Sequence, residues 1–419
     1  MSVAARASAL APFQVRSFRF QWPADLATSF AFEMETLILG WYVLVETRSV
    51  LMLTIFASLL YVGTLLAPMF GVMGDRIGHR NLLSAMRGVY ATCATTVMIF
   101  AFTGILTPVH VLVIAAIMGL VRPSDIGMRA ALVGETMPVE RLVGAMGIQR
   151  TTQDTAKIAG ALTGAGLVAQ LGIGPAYTVV TSLYVVSVLL TLRAGSARPA
   201  HLPDTGAAGA RASPWRDLRE GVAYVWSTPH LLAVMCIAFL LNLTAFPLMN
   251  GLLPYVVKEV YGAGQTTLGY MAAGAALGAL TSSIMLSRVA HSIRPARAMI
   301  FGAVTWYIML IVFAHTPDPH WGSLVLLLAG CAHSVSQVPM AAMLLRNSDA
   351  QYRGRIMGIR MLAIYGNMPG LLLSGPLIAR FGYPVTATLY CLFALTFILL
   401  IVVHWRAHLW RLDAPSNTR

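Results

Sequence analysis

Charge is what this sequence has least of. Only 11% of its 419 residues are Asp, Glu, Lys or Arg, and just 16 are acidic, whereas soluble domains carry about 25% charged residues. So thin a polar complement excludes an ordinary water-soluble globule. Disorder is excluded for the opposite reason, because 57% of the chain is hydrophobic and disordered segments are poor in apolar residues. Cysteine is scarce too. Cys93, Cys236, Cys331 and Cys391 each stand in an apolar run with no CxxC spacing, which argues for small buried hydrophobes and against a disulfide or metal framework. The motifs of chemistry are also missing: no P-loop for ATP, no HExxH for zinc, no GxSxG for a serine nucleophile. Neither an enzyme nor a cofactor nor a metal is expected.

What the chain has in quantity is apolar length. Crossing about 30 Å of hydrocarbon takes roughly 20 mostly apolar residues per helix, and twelve such runs are present: 22–45, 51–72, 82–104, 109–130, 143–169, 175–193, 230–257, 266–287, 298–315, 321–345, 356–379 and 383–404. The fold class is therefore an all-α membrane protein with twelve transmembrane helices. With an N-terminus in the cytoplasm, 21 of the 29 basic residues fall in segments on that side, and only Arg48, Lys258 and Arg380 fall on the other. The remaining five (Arg87, Arg122, Arg150, Lys157, Arg360) lie within spans. This positive-inside bias predicts that both termini are cytoplasmic, and basic loops beside anionic lipid account for the net charge of +13 without nucleic acid. The first 19 residues precede a full-length span with no small-residue cleavage site, so an uncleaved first helix is expected.

Residues 194–215, rich in Ala, Gly, Pro and Arg, have no apolar periodicity and read as a cytoplasmic linker. Beyond it Leu218, Val222 and Val225 recur at helical spacing, as in an amphipathic segment on the membrane surface. The predicted organisation is a six-helix bundle over 1–193, a linker and amphipathic segment over 194–229, and a second bundle with a tail over 230–419. A weak internal repeat supports the division: Met146-Gly147-Ile148 and Met357-Gly358-Ile359 superpose at an offset of 211 residues. Two pseudo-symmetric halves are a recurrent transporter design, with substrate bound near the midplane between them.

Between the second and third spans the chain reads Gly71-Val-Met-Gly74-Asp75-Arg76-Ile-Gly78-His79-Arg80. This resembles the loop signature G-x-x-x-D-R-x-G-R-R of the major facilitator superfamily, whose twelve spans, central linker and degenerate second copy are matched over nearly the whole chain. The residues have physical reasons of their own: glycines permit a tight turn and close helix approach, Asp75 can cap a helix or meet a basic partner, and Arg76 and Arg80 anchor the basic face. His79 stands where the family has Arg or Lys, and the second copy, Ser287 to Arg294, lacks both the Asp and the Gly. The resemblance therefore implies a cytoplasmic gate in the N-terminal half only, made by Gly71, Gly74, Asp75, Arg76, Gly78 and Arg80. Ala130–Pro138 and Arg353-Gly354-Arg355 resemble the subgroup of drug and siderophore exporters. The exporter pattern G-P-x-x-G reads Gly160-Ala161-Leu-Thr-Gly164 here, without the proline. Small residues at that spacing also serve plain helix packing.

Ionisable residues inside a span are costly and mark function by default. In the fourth span Arg122, Asp125 and Arg129 fall at i, i+3, i+7, and in the fifth Arg150, Asp154 and Lys157 fall at i, i+4, i+7; both spacings give one helical face. As the two helices run antiparallel, cross-pairing is expected, with Asp154 and Lys157 near the depth of Arg122 and Arg150 near Asp125. Static ion pairs holding the bundle together are the competing role. Glu33 and Glu35 in the first span lie about 200° apart, and Glu33, which continues the stripe Asp25, Ser29, Thr36, is the one expected to face a cavity. Glu33, Asp154, Asp125 and Glu35 are thus the candidate proton-coupling or counter-charge residues. Arg122, Arg150, Lys157, Arg360, Asn242, Gln337 and Asn367 are the candidate substrate-cavity residues, joined by Asn250 and by His333, one turn before Gln337. Taken together, the sequence and the resemblance imply a proton-coupled exporter of a small organic molecule (drug, siderophore or metabolite), monomeric, among bacterial inner-membrane lipids, binding no nucleic acid. An importer or facilitator, or a transporter-like sensor, are the alternatives.

Overall fold

The structure, a computed structural model, describes residues 11–195, 214–289, 294–346, 359–360 and 362–411. In hydrocarbon every backbone polar group must find its partner within the segment, so the apolar runs become helices: α1 (Arg16–Thr47), α2 (Val50–Leu59), α3 (Ala67–Ile77), α4 (His79–Thr103), α5 (Pro108–Thr136), α6 (Val139–Leu171), α7 (Ile173–Arg193), α8 (Pro214–Ser227), α9 (Pro229–Val260), α10 (Gln265–Val289), α11 (Pro295–His315), α12 (Pro319–Arg346), α13 (Asn367–Phe381) and α14 (Tyr383–Arg411). Nine of these, among the described residues, are long and apolar enough to cross a membrane. The other three of the twelve spans depart from that form for visible reasons. The fifth, α6, is long enough but carries Arg150, Asp154 and Lys157. The eleventh, expected over 356–379, lies partly outside the described residues and is seen as a 3-10 turn, Ile364–Gly366, running into α13.

The second span is the clearest difference from expectation. A continuous helix over 51–72 is predicted, but the chain forms α2, a 3-10 turn at Val62–Leu66, and then α3, which has Pro68 in its first turn. At the break Gly63 lies against the Leu120 carbonyl of α5, and Gly119 against the Leu59 carbonyl. No side chain larger than hydrogen fits at either contact. α9 is irregular as well: π-helical turns occupy Pro247–Gly251 and Val256–Val260, where Pro247 brings no N–H to the helical ladder.

Each half has its own interior. Phe32, Tyr90, Val97, Val111, Tyr177 and Tyr184 fill the first, and Leu241, Trp306, Tyr307, Leu326 and Met340 fill much of the second. Large apolar side chains such as Phe301, Met285 and Leu399 cover the outside, an arrangement that suits lipid and not water. The linker residues 196–213 lie outside the described residues; after them α8 buries Val225 against the second half and leaves Val222 and Trp226 exposed.

Small residues bring the halves together. A Cβ on Gly269 of α10 would sit 2.5 Å from Ala165 Cβ of α6, and one on Gly375 of α13 would sit 2.5 Å from Thr54 Oγ1 of α2. Ser58 of α2 donates to the Met368 carbonyl at 3.4 Å. Gly269 opens α10, Gly375 falls late in α13, and Ala165 falls late in α6, so these contacts lie toward the end of the bundle away from the N-terminus and α8. In the N-terminal half of α6, by contrast, Arg150 is exposed, and so is Lys157 near the middle of the helix. The space between the halves therefore opens on the side that carries the N-terminus.

Candidate functional site

On that side the first half is built around a buried, electrically balanced cluster. Asp25 of α1 is ion-paired with Arg87 of α4, accepts a hydrogen bond from Gln149 Nε2 of α6 at 2.9 Å, and has Arg129 Nε of α5 at 3.8 Å. Arg87 also donates to Thr191 of α7. Arg129 pairs with Asp125 one turn earlier and donates to Ser29 Oγ at 2.7 Å. Two arginines and two aspartates, each at most 3% exposed, cancel in charge and tie five helices together. The sequence shows Arg87 in a span and Asp25 on a polar stripe, yet nothing in it pairs residues 62 positions apart.

The expected cross-pairing of α5 with α6 is not what the helices do. Asp125 is taken by Arg129 of its own helix, and Asp154 by Arg150 of its own helix at 3.1 Å. The reason is facing. The stripe Arg122–Arg129 turns toward α1, where Arg122 donates to Thr36 Oγ1 at 2.8 Å and both arginines lie over the Phe32 ring at 4.7 and 5.8 Å. The stripe Arg150–Lys157 turns instead into the space between the halves.

The two glutamates of α1 part company as their angular separation requires. Glu35 is buried and accepts from Tyr184 Oη at 2.8 Å and Tyr177 Oη at 3.2 Å, both on α7. Glu33 is half-buried beside Gly160, where a Cβ would meet Glu33 Cβ at 2.8 Å. It makes no hydrogen bond or ion pair among the described residues. The stripe of Asp25, Ser29 and Thr36 thus meets the arginines of α5, while Glu33 is offset from it toward α6.

In the second half Arg360 donates to Gln337 Oε1 of α12 at 3.4 Å. His333, one turn earlier on α12, lies against the rings of Trp306 and Phe246 at 4.7 and 5.3 Å. Asn367 donates to Asn242 Oδ1 at 2.9 Å and both are buried, bonded to each other across α13 and α9. Asn250 is exposed on the first wide turn of α9.

The loop motif folds as its glycines require. Gly78 has φ +87°, a value that disfavours any side chain, and joins α3 to α4 directly. A Cβ on Gly74 would lie 2.9 Å from the His79 ring. His79, the departure from the family pattern, bonds Glu135 of α5 through Nδ1 at 2.6 Å, a partner the motif itself does not show. Arg80 reaches the Ala194 carbonyl at 3.5 Å, Arg76 is exposed, and Gly71 has open space around it. The side chain of Asp75 and the stretch Arg353–Arg355 lie outside the described residues. No group of three His, Cys, Asp or Glu side chains that could hold a metal occurs among the described residues.

Comparisons with known proteins fit this architecture. The Major Facilitator Superfamily profile matches residues 8–367. In three dimensions the chain is similar to the nucleoside transporter NupG, at 15% identity and TM-score 0.68, covering 93% of this chain and 99% of that one. It is similar to the D-xylose–proton symporter, at 12% identity and TM-score 0.69, covering 92% and 96%, and to the human organic anion transporter MFSD10 (TETRAN), at 16% and 0.66, covering 92% and 99%. No curated protein matches it in sequence. At such identities the likeness is one of fold, carried by neighbours with unlike cargoes. With a profile match across most of its length and twelve spans in two bundles, the chain belongs to the Major Facilitator Superfamily, as an all-α membrane transporter of the secondary type.

Proposed function

We propose that this chain exports a small organic molecule from the bacterial cytoplasm in exchange for protons, by alternating access between two six-helix halves, and that it works as a monomer in the inner membrane. One observation carries the reading: Arg150 and Lys157 of α6 are exposed, while the close contacts between the halves at Gly269 and Gly375 lie at the end away from the N-terminus. The positive-inside bias assigns the side of the N-terminus to the cytoplasm, so a resting protein of this shape collects its cargo from within the cell. The halves are 1–193 and 230–419, linked by 194–229, and the motif from Gly71 to Arg80 with the His79–Glu135 pair forms the gate that closes behind the cargo. The resemblance of Ala130–Pro138 to exporters supports the direction, and the D-xylose–proton symporter among similar structures supports proton coupling alone, since a symporter moves both species the same way.

Glu33 is the proton-exchanging group best placed for access, being half-buried and unpaired among the described residues, with Asp154 as the second. Desolvation favours the neutral acid while a nearby cation favours the carboxylate, and a gate that changes the balance moves a proton. The test compares small molecules inside and outside cells by mass spectrometry, with matched expression of wild type, Glu33→Gln and Asp154→Asn. A compound shifted outward by wild type, with its pH dependence lost in the variants, is the expected result. An inward shift overturns export, and unchanged transport and pH dependence in both variants overturn the coupling.

A further inference from the structure

The turn that joins α11 to α12 leaves a cleft of about 590 Å³ between the two helices, at the end of the bundle away from the N-terminus. Its wall is hydrocarbon, made by Ile311 and Val312 of α11 and Val325 of α12. Val312 is exposed, as are Ile308 one turn earlier and Leu324 beside Val325. The cleft therefore lies on the apolar outer surface of the second half, where lipid covers the protein, and not in the space between the halves.

The rim of the cleft is polar, and its side chains are of one kind. Asp318 accepts the backbone N–H groups of His320 and Trp321 through Oδ1, at 2.8 and 3.1 Å, and so caps α12; Oδ2 has no partner among the described residues. His315 donates from Nδ1 to the Ile311 carbonyl at 3.0 Å, which leaves Nε2 as the acceptor of the neutral ring. Thr316 donates its hydroxyl hydrogen to the Val312 carbonyl at 2.7 Å and keeps its lone pairs. These three side chains offer acceptors, one of them a carboxylate that forms no ion pair among the described residues. Beside them Trp321 is 65% exposed, with an indole face that attracts cations and an N–H that donates. A donor-rich cation complements this rim, and the hydrocarbon wall below it calls for a cation that carries a chain.

We infer that this cleft seats a phospholipid whose headgroup is a primary ammonium, with its N–H groups on Asp318 and His315, its phosphate served by the Trp321 indole N–H, and an acyl chain along Ile311, Val312 and Val325. The site is independent of the cargo and of the direction of transport. A quaternary ammonium has no N–H to give, and a headgroup of net negative charge meets Asp318 as a like charge, so both bind less well. The test titrates full-length, delipidated protein in detergent with phosphatidylethanolamine, phosphatidylcholine or phosphatidylglycerol of identical chains and counts bound lipid by native mass spectrometry. Asp318→Asn is the informative variant, because asparagine caps a helix about as well as aspartate and only the charge is lost. Wild type should bind phosphatidylethanolamine most tightly. Asp318→Asn should weaken that lipid about tenfold, as for losing a hydrogen bond to a charged group, with phosphatidylglycerol no weaker and the lipid-free unfolding midpoint unmoved. Trp321→Leu, which keeps an apolar side chain, should weaken it as well. Should the midpoint of Asp318→Asn fall, the ranking of the three lipids on wild type decides. Equal binding of the three lipids by wild type, a preference for either of the other two, or an unaltered phosphatidylethanolamine affinity in a stable Asp318→Asn overturns the inference.

Discussion

Tyr184 gives its hydroxyl hydrogen to Glu35 at 2.8 Å while Glu33, two residues earlier on the same helix, has no such partner among the described residues. The pair separates a structural carboxylate from an accessible one. Glu35→Ala leaves two buried tyrosine hydroxyls without their acceptor and should cost about 2–6 kcal/mol, at roughly 1–3 kcal/mol for each stranded group. Glu33→Gln should leave the thermal midpoint near that of wild type and alter the pH dependence of transport. Thermal unfolding of the purified variants beside a transport assay distinguishes the two glutamates; equal losses of stability would place them in one role.

Asp25 is the counter-ion of Arg87 in the buried cluster, so its removal strands that arginine, while Arg129 keeps Asp125. Asp25→Ala should destabilise by about 3–5 kcal/mol, the range for breaking a buried pair from one side. Arg87→Gln should cost less, because Arg129 still stands near Asp25. In a double-mutant cycle the combined loss should fall short of the sum by about 0.5–3 kcal/mol, as for contacting residues, and strict additivity would mean the pair is not coupled.

The His79–Glu135 bond is partly open to solvent, with 38% of the Glu135 side chain exposed, so it adds little to stability, about 1 kcal/mol or less. Its effect should be on the gate. His79→Ala and Glu135→Gln are each expected to slow transport severalfold with nearly unchanged unfolding midpoints, and the double variant to be no slower than either single one. A double variant as slow as the product of the two would separate their roles.

Gly269 is where the halves touch most tightly through α6 and α10. Gly269→Leu places a side chain where even a Cβ would crowd Ala165, so the halves must part at that end. The protein should fold, lose transport at least tenfold, and change the accessibility of single cysteines placed at either mouth of the cavity. A variant with wild-type transport would show that this contact is not broken and remade in the cycle.

Much of the fold was legible because the bilayer imposes one length and one periodicity on every span. The runs at 82–104, 109–130 and 175–193 correspond closely to α4, α5 and α7. The break in the second span was not, since it depends on Gly63 and Gly119 meeting the backbone of another helix, a tertiary contact without a local signal. The site divides in the same way. Spacing gave the shared faces of Arg122–Arg129 and Arg150–Lys157, because a helix fixes angles. It did not give the direction in which each face turns, and so the expected pairing between α5 and α6 gave way to pairs within each helix. Glu135 as the partner of His79, and Arg87 as the partner of Asp25, required the packed bundle.

The balanced cluster of Asp25, Arg87, Asp125 and Arg129 and the unbalanced cations of Arg150 and Lys157 differ in one respect that matters at the bench: dissolved ions reach only the second. At physiological ionic strength, charges in water are screened over about 8 Å, while buried pairs are screened much less. Raising potassium chloride should therefore screen Arg150 and Lys157 while leaving the first half as firmly assembled as before, so any property that rests on those two cations should vary with the salt of the preparation.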